Sequence, residues 1–241
     1  MDPSHLTQLV KLEDNYWWHI AKRRLVLRLL GQFAPAPGRL VEGGIGSGRN
    51  LVEFHKQGYD VTGFDLMPES VEHVRRRGIS DVRVHDLEDP WPVDAHSLTA
   101  VVLLDVLEHL EDPVTVLKHV HNALSDGGAV VVTVPACPWL FSRWDEQLGH
   151  YRRYNIREFR RQARDSGFRV HWLNHWNCFT LPAAVAVRSW EKVFPRRTQP
   201  DFPEVSDLTN RILLTAAAAE RYCMAVSRIP AGLSLVGVLR K

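Results

Sequence analysis

The chain has few cysteines, no long apolar run and almost no net charge, and each shortage argues against a class of protein. Only Cys137, Cys178 and Cys223 occur among 241 residues, and none has C-x-x-C spacing. This argues against a disulfide framework and a cysteine zinc site, so we expect no metal ion and a reducing, cytoplasmic location. The longest apolar run, near Phe179–Val187, is about half a membrane span.

The first residues also lack a basic segment followed by an apolar core, so we expect no signal peptide. The net charge is +2, which indicates no strong field toward nucleic acid or an anionic membrane. Basic residues cluster at 22–24, 75–77 and 152–161. Such clusters are typical of solvated helix faces.

Apolar segments alternate with helical patterns over the first two thirds of the chain. Because strand and helix repeat in turn, the pattern predicts βαβ units and a parallel sheet with helices on both faces. The predicted strands are residues 39–42, 60–64, 81–85, 99–104 and 129–134, with helices at 50–56, 68–77 and 113–124 between them. A helix over residues 4–30 that ends at Gly31 precedes them.

The pattern is looser after Pro135. It predicts a loop to about Tyr154, a helix over 156–166, a strand over 168–173 and a last strand over 233–239. Two apolar helical stretches fill residues 178–228 around a proline-containing link at 195–203, and Phe194 and Phe202 are among the aromatic residues of this part. These aromatic residues could line an apolar acceptor or form a dimer contact.

The most informative segment follows the first predicted strand. Glu42 ends an apolar run, and glycines then occupy every second position at 44, 46 and 48. Glycine tolerates positive φ and lets a ligand approach the backbone closely. Arg49 stands where the dinucleotide fingerprint needs a small residue, which disfavours a nucleotide-binding oxidoreductase.

Three further features fall at strand ends, where ligands bind in open α/β sheets. Asp65 ends the second strand and is placed to accept hydrogen bonds from ribose hydroxyls, although it could instead cap the next helix. Asp86 and Leu87 follow the third strand and could hold an adenine ring, or Asp86 could solvate a loop. After the fourth strand, His109 could face the reacting centre or simply be satisfied by a neighbouring loop.

These four features, in this order, resemble those of class I S-adenosylmethionine-dependent methyltransferases over residues 39–134. The resemblance implies that Glu42, Gly44 and Gly46 hold the methionine part, that Asp65 holds the ribose, and that Leu103 offers its carbonyl to the amino group. The full set of cofactor-binding residues that it implies is Tyr16, Trp18, Arg23, Glu42, Gly43, Gly44, Gly46, Asn50, Asp65, Leu66, Met67, Asp86, Leu87, Leu103, Leu104 and Asp105.

The same resemblance implies a fold class. It is an α/β, doubly wound, mostly parallel seven-stranded Rossmann-like sheet with an antiparallel last strand. Within one domain over residues 1–241, we expect a helical lid (1–34), a cofactor-binding core (39–177), a helical insertion (178–231) and the last strand (232–241). The run Leu107–Pro113 resembles the quinone-biosynthesis and small-molecule branch. The tetrapeptide of amine-directed nucleic-acid and protein methylases is missing, since residues 104–107 read Leu-Asp-Val-Leu.

Methyl transfer to a hydroxyl or ammonium requires a base, and histidine suits that role at neutral pH. His109 and His150 are the predicted catalytic residues. Trp144, Tyr151, Arg152 and Arg153 are predicted to bind substrate, the arginines as a clamp for a carboxylate or phosphate. Tyr151 could instead be a core residue, and Arg153 could cap the sheet edge. A carboxylate or thiolate acceptor would need no base.

The sequence therefore predicts a methyltransferase that uses S-adenosylmethionine, leaves S-adenosylhomocysteine, and acts on a small molecule, with O-methylation favoured. We expect no nucleic-acid partner, no membrane span, and a monomer or homodimer. Two alternatives stay open, a methyltransferase of RNA or protein and a non-catalytic S-adenosylmethionine-binding module. The first would need a basic face or an appended binding domain.

Overall fold

The computed structural model describes residues 3–193 and 204–241, so the link at 195–203, Phe194 and Phe202 lie outside the described residues. Seven strands form one sheet in the order β3-β2-β1-β4-β5-β7-β6. They are β1 (Gly38–Gly43), β2 (Tyr59–Asp65), β3 (Val82–Val84), β4 (Leu98–Leu104), β5 (Leu124–Pro135), β6 (Arg169–Trp176) and β7 (Ser234–Arg240). The first five are parallel, and β7 runs antiparallel between β5 and β6. This confirms the predicted fold class.

Nine α-helices occur in the described residues. They are α1 (Pro3–Leu12), α2 (Trp17–Phe33), α3 (Arg49–Lys56), α4 (Pro68–Arg76), α5 (Pro113–Ala123), α6 (Arg143–Gln147), α7 (Ile156–Asp165), α8 (Leu181–Val193) and α9 (Asp207–Val226). Short 3₁₀ turns cover 107–109 and 138–140.

The sheet is buried on both faces, as its Val- and Leu-rich strands predict. Successive residues of β1 point to opposite sides, Leu40 into one apolar cluster and Val41 into the other. The first cluster includes residues of α2, α3, α4 and α9, and the second includes residues of α5 and α7. Within the described residues, no helix is both long enough and apolar enough to cross a membrane.

The predicted single N-terminal helix is wrong in two respects. It is broken between Leu12 and Trp17, and its second part continues through Gly31 to Phe33. The break brings Glu13 into a buried position at 2% exposure, where it accepts hydrogen bonds from Ser47 and Arg77. Gly31 is exposed inside the helix, and the helix ends before the proline-containing segment at 35–38, because proline lacks the N–H that a continued helix needs.

The register brings the carboxyl ends of three strands together. Gly43 pairs with Phe64 of β2 on one side and with Leu103 of β4 on the other. The residues that follow these strands therefore meet at one edge of the sheet, which is where ligands bind in such folds.

Gly48 makes the tight turn between β1 and α3 possible. Replacing Gly48 with alanine tests this role. Its φ is +70°, and a Cβ atom there would overlap Cγ2 of buried Val74 and lie 2.8 Å from its Cγ1. We expect Gly48→Ala to lower the free energy of unfolding by the cost of backbone strain, about 1–3 kcal/mol, plus about 1–3 kcal/mol for overpacking. Urea unfolding measures it.

Gly78→Ala is the matched control, because Gly78 has φ +91° but nothing within 4 Å of its Cβ position. It should show the strain alone. Equal losses in the two variants would contradict the role of Val74.

Candidate functional site

A carboxylate at the end of β2 holds the glycine turn in place. The Gly46 N–H donates to Asp65 Oδ2 at 2.9 Å, and the Met67 N–H donates to Asp65 Oδ1 at 2.9 Å. The Gly44 N–H donates to the Phe64 carbonyl at 2.8 Å. Burial raises the pKa of Asp65, although these N–H donors oppose the shift. The N-cap of α4 is Met67, so Asp65 orients the turn and does not cap the helix.

Glu42 lies beneath this turn and is only 1% exposed. Its Oε1 accepts a hydrogen bond from Asn50 Nδ2 at 3.3 Å, whereas Oε2 has no partner among the described residues. Burial raises the pKa of Glu42 to about 8, partly opposed by the hydrogen bond from Asn50. A buried carboxyl with an unused acceptor is suited to a cationic or N–H-bearing ligand.

Gly43, Leu87 and Leu103 come together beside the turn. A Cβ atom on Gly43 would lie 2.8 Å from Leu103 Cδ2 and 3.2 Å from Leu87 Cδ1. Leu66 is 64% exposed next to half-buried Asp65, so it offers an apolar surface to a flat ligand. Asp86 is half-buried, and its Oδ1 accepts the Glu88 N–H at 3.0 Å.

A buried ion pair closes the end of β4. Lys22 Nζ on α2 lies 2.7 Å from Asp105 Oδ2 and 4.0 Å from the centre of the Trp18 ring. Asp105 follows Leu104 and has φ +53°. Thr133 Oγ1 donates to its Oδ1 at 3.1 Å. Burial alone would raise the pKa of Asp105, but Lys22 and Thr133 outweigh it and hold the pKa below its usual value.

The two predicted catalytic histidines are neighbours, with ring centres 4.6 Å apart in an edge-to-face arrangement. His109 follows β4, and His150 follows α6. Burial, together with the charge of His150, lowers the pKa of His109 to about 4. Glu108, which the sequence analysis did not assign, is buried beside them, and burial and the charge of Asp105 raise its pKa well above the usual value.

Asp145 organises the loop that carries His150. It is fully buried and lies 3.2 Å from His150 Nδ1, 2.7 Å from Arg153 Nε and 2.8 Å from Arg188 Nη1. Burial opposes ionisation, yet these three partners hold the pKa of Asp145 far below its ordinary value. Arg188 belongs to α8, so the segment before the last strand is connected to the histidine pair.

The predicted substrate residues have different surroundings. Arg153 is buried, and its Nη1 donates to the Ala136 carbonyl at 2.9 Å, so both ends of its guanidinium face the protein. Arg152 Nη2 donates to the Glu111 carbonyl at 2.9 Å, and Tyr151 is 59% exposed. Trp144 is half-buried on α6.

The N-terminal residues of the predicted cofactor set contact the link between α1 and α2. Arg23 Nη2 donates to the Glu13 carbonyl at 3.0 Å, and Arg49 Nε lies 2.6 Å from Asp14 Oδ1. Tyr16 is buried, with its ring 6.1 Å from Trp17. Trp18 packs at 6.1 Å from Trp176 of β6. These rings fix α2 to the sheet, as the buried Leu25 and Leu29 of α2 also do.

Sequence reasoning missed Lys22, Glu108 and Asp145. Lys22 stands four residues after Trp18, on the same helix face, and that spacing was a readable signal. Asp145 lies in α6 and His150 in the loop that follows it, and spacing gives no rule across such a boundary. Glu108 precedes His109 directly, and only the fold shows that both approach His150.

A family model described as a methyltransferase domain matches residues 17–173. The chain is also similar to curated proteins named ubiquinone biosynthesis O-methyltransferase. The one from Xanthomonas axonopodis pv. citri is 28% identical over 133 residues, which are 49% of this chain and 56% of that protein. The one from Xylella fastidiosa is 28% identical over 100 aligned positions, which cover 39% of this chain and 41% of that protein. The chain thus spans about half the length of these relatives.

Solved structures of low identity share the fold. A SAM-dependent methyltransferase from Archaeoglobus fulgidus has a TM-score of 0.65 and 15% identity, with all of both chains covered. Geranyl diphosphate C-methyltransferase from Streptomyces coelicolor, solved with Mg²⁺, geranyl diphosphate and S-adenosylhomocysteine, has a TM-score of 0.59 and 18% identity. The match covers 92% of this chain and 78% of the C-methyltransferase chain.

The raised pKa of Glu42 predicts a pH dependence of stability. A carboxyl whose pKa rises from 4.5 to about 8 on folding binds more protons in the folded state. Its contribution to the free energy of unfolding is therefore present below pH 4.5 and is lost as the pH rises through about 8. We expect Glu42→Gln to remove this fall, which thermal unfolding at several pH values measures.

Glu88→Gln is the control, because Glu88 is exposed at the same edge of the sheet. It should keep the wild-type dependence. A Glu42→Gln variant that keeps it as well would contradict the buried, protonated carboxyl.

Proposed function

The chain belongs to the methyltransferase domain family of S-adenosylmethionine-dependent enzymes, and we propose that it transfers the methyl group to an oxygen atom of a small-molecule acceptor. The observation that carries the proposal is the convergence of the glycine turn, Asp65 and the unused carboxylate oxygen of Glu42 at one sheet edge. The histidine pair lies beyond the end of β4 at the same edge.

The residues present suit S-adenosylmethionine. Glu42 Oε2 has an acceptor free for the ammonium group or for a water molecule bound to it. Each oxygen of Asp65 accepts one backbone N–H and keeps a lone pair for a ribose hydroxyl. Leu66 and Leu87 offer apolar surface for adenine, and Asp86 is the acceptor for its amino group. These roles are part of the proposal, as are those of Tyr16, Trp18 and Arg23 around the methionine end.

The sulfonium of the cofactor supplies an already activated methyl group. The chain must therefore hold the acceptor in line, exclude water and manage one proton, which is mainly catalysis by positioning. An unprotonated histidine can receive the proton of an acceptor hydroxyl, and His109 and His150 are the histidines proposed for that role. Asp145 orients His150 from its Nδ1 side. Trp144 of α6 and, on the loop that follows it, Tyr151 and Arg152 are proposed to contact the acceptor.

The acceptor class has separate support. Curated relatives are named for O-methylation in ubiquinone biosynthesis, and the chain carries a net charge of only +2. A small acceptor with an ionisable oxygen fits a site with two histidines. Methylation of RNA or protein, and cofactor binding without transfer, are the other outcomes of the tests below. A cytoplasmic monomer or homodimer stays a prediction.

Calorimetric titration with S-adenosylhomocysteine, with NADH as the control ligand, tests cofactor choice. We expect micromolar binding of the first and none of the second. Asp65→Ala removes a carboxylate that positions the turn and is proposed to hold the ribose, so affinity should fall about 10- to 100-fold, as expected for lost hydrogen bonds to a charged group. Asp60→Ala, on the exposed side of the same strand, should change nothing. Binding of NADH alone would overturn the proposal.

His150→Ala tests the acceptor side. With labelled S-adenosylmethionine and the best acceptor from a panel of phenols, catechols and carboxylic acids, turnover should fall by about 10²- to 10⁴-fold, the usual size of general acid–base effects. The affinity for S-adenosylhomocysteine should not change. His119→Ala should keep full turnover, because His119 is a half-buried histidine of α5 whose Nε2 faces the Glu88 carbonyl, outside the proposed site. Unchanged turnover in His150→Ala would remove His150 from the mechanism.

A further inference from the structure

Three potential metal ligands from two segments meet on the acceptor side of the site. Glu108 and His109 follow β4, and His150 comes from the loop after α6. One carboxylate oxygen and one ring nitrogen from each histidine lie within 4.8 Å of one another. Metal–ligand distances near 2 Å put neighbouring ligand atoms roughly 3 Å apart, so side-chain rotations that bring these three atoms closer together would complete a site for one cation.

The hydrogen bonds of both histidines leave the same nitrogen available. His109 Nδ1 faces the Gly149 carbonyl at 3.3 Å, and His150 Nδ1 faces Asp145 Oδ1 at 3.2 Å. Because both partners are acceptors, Nδ1 is the donor in each ring, and the neutral form of each ring then has its lone pair on Nε2. A carboxylate or carbonyl behind a histidine is the usual support of a metal-bound imidazole.

Glu108 supplies an independent observation. It is completely buried, and neither carboxylate oxygen has a hydrogen-bond partner from another side chain in the part of the chain that the structure describes. The cations near it are already paired, Lys22 with Asp105 and Arg153 with Asp145. A buried carboxylate without a partner is costly, and a bound cation would compensate it.

We propose that Glu108, His109 and His150 bind one divalent first-row transition metal ion. Two imidazole nitrogens and one carboxylate oxygen suit Zn²⁺, Co²⁺, Fe²⁺ or Mn²⁺, whereas Mg²⁺ prefers oxygen ligands alone. The absence of C-x-x-C spacing predicted no metal ion, but that pattern reports only on cysteine ligands. The fold brings together ligands that lie about 40 residues apart in the sequence.

The site would act on the acceptor, and this part of the inference rests on the proposed function. A metal-bound hydroxyl loses its proton more readily than a free one, and the proton passes to solvent. The acceptor oxygen then forms the bond to the methyl carbon as the carbon–sulfur bond breaks, and the electron pair of that bond stays on sulfur. With the ion bound, the histidines would stabilise the acceptor anion by holding the metal, and only in its absence would they keep the base role proposed above.

Titration of the chelator-treated 241-residue chain with Co²⁺, followed by visible absorption, tests the site without an acceptor. We expect saturation at one equivalent for the wild type, and affinity at least about 10-fold weaker in Glu108→Gln, His109→Ala and His150→Ala. His119→Ala is the matched control and should bind Co²⁺ like the wild type. Mg²⁺ should not displace Co²⁺ at equal concentration. Unchanged thermal unfolding shows that each variant is folded.

Saturable binding that survives Glu108→Gln and His150→Ala, or no stoichiometric binding by the wild type, would overturn the inference. Titration of the same metal-free protein with S-adenosylhomocysteine separates the two proposals. Cofactor binding without Co²⁺ binding rejects the metal site and leaves the histidines as bases. Co²⁺ binding without cofactor binding rejects the proposed function and leaves the metal site.

Discussion

The cost of burying carboxyl groups at one edge of a parallel sheet governs this structure. Glu42, Asp65, Asp105, Glu108 and Asp145 all lie at or near the strand ends. Three of them are compensated, Asp65 by backbone N–H groups, Asp105 by Lys22 and Asp145 by two arginines. Glu42 keeps one unused oxygen, and Glu108 keeps two. Since buried polar groups are normally satisfied, the oxygens of Glu42 and Glu108 that lack partners among the described residues support both proposals.

The compensating groups come from distant segments, which explains how outer parts of the chain influence the site. Lys22 extends from α2, and Arg188 extends from α8. The start of α2 depends in turn on α9, because Asn210 Oδ1 accepts the Trp17 N–H at 2.8 Å and Asn210 Nδ2 donates to the Asn15 carbonyl at 2.8 Å. The leucines of α2 are buried against the sheet. Helix α2 is therefore fixed to the sheet, and the lid role of residues 1–34 stays a prediction.

Much of the fold followed from local pattern, whereas part of the site did not. The strands could be predicted because apolar runs such as 101–104 are continuous where both sheet faces are buried. The glycine turn could be predicted because alternating glycines are visible in the sequence without any tertiary contact. The break of the N-terminal helix after Leu12 could not be predicted, since it depends on the hydrogen bonds that Ser47 and Arg77 donate to Glu13. Lys22 pairs with Asp105, and Asp145 pairs with Arg188, each across more than 40 residues of sequence. Such distant pairs cannot be predicted from residue spacing.

The histidine pair links these constraints to the reaction. The position of His109 is set by the turn that follows β4. The position of His150 depends on Asp145, which in turn pairs with Arg153 and with Arg188 of α8. A change in α8 would therefore act on His150 before it acts on the proposed cofactor side, where Glu42 relies on Asn50 of α3 and Asp65 on the N–H groups of Gly46 and Met67. The residues proposed for the cofactor and those proposed for the acceptor are thus held by separate sets of contacts at one sheet edge. This separation would let the acceptor loop and α8 vary with the acceptor while the glycine turn stays unchanged.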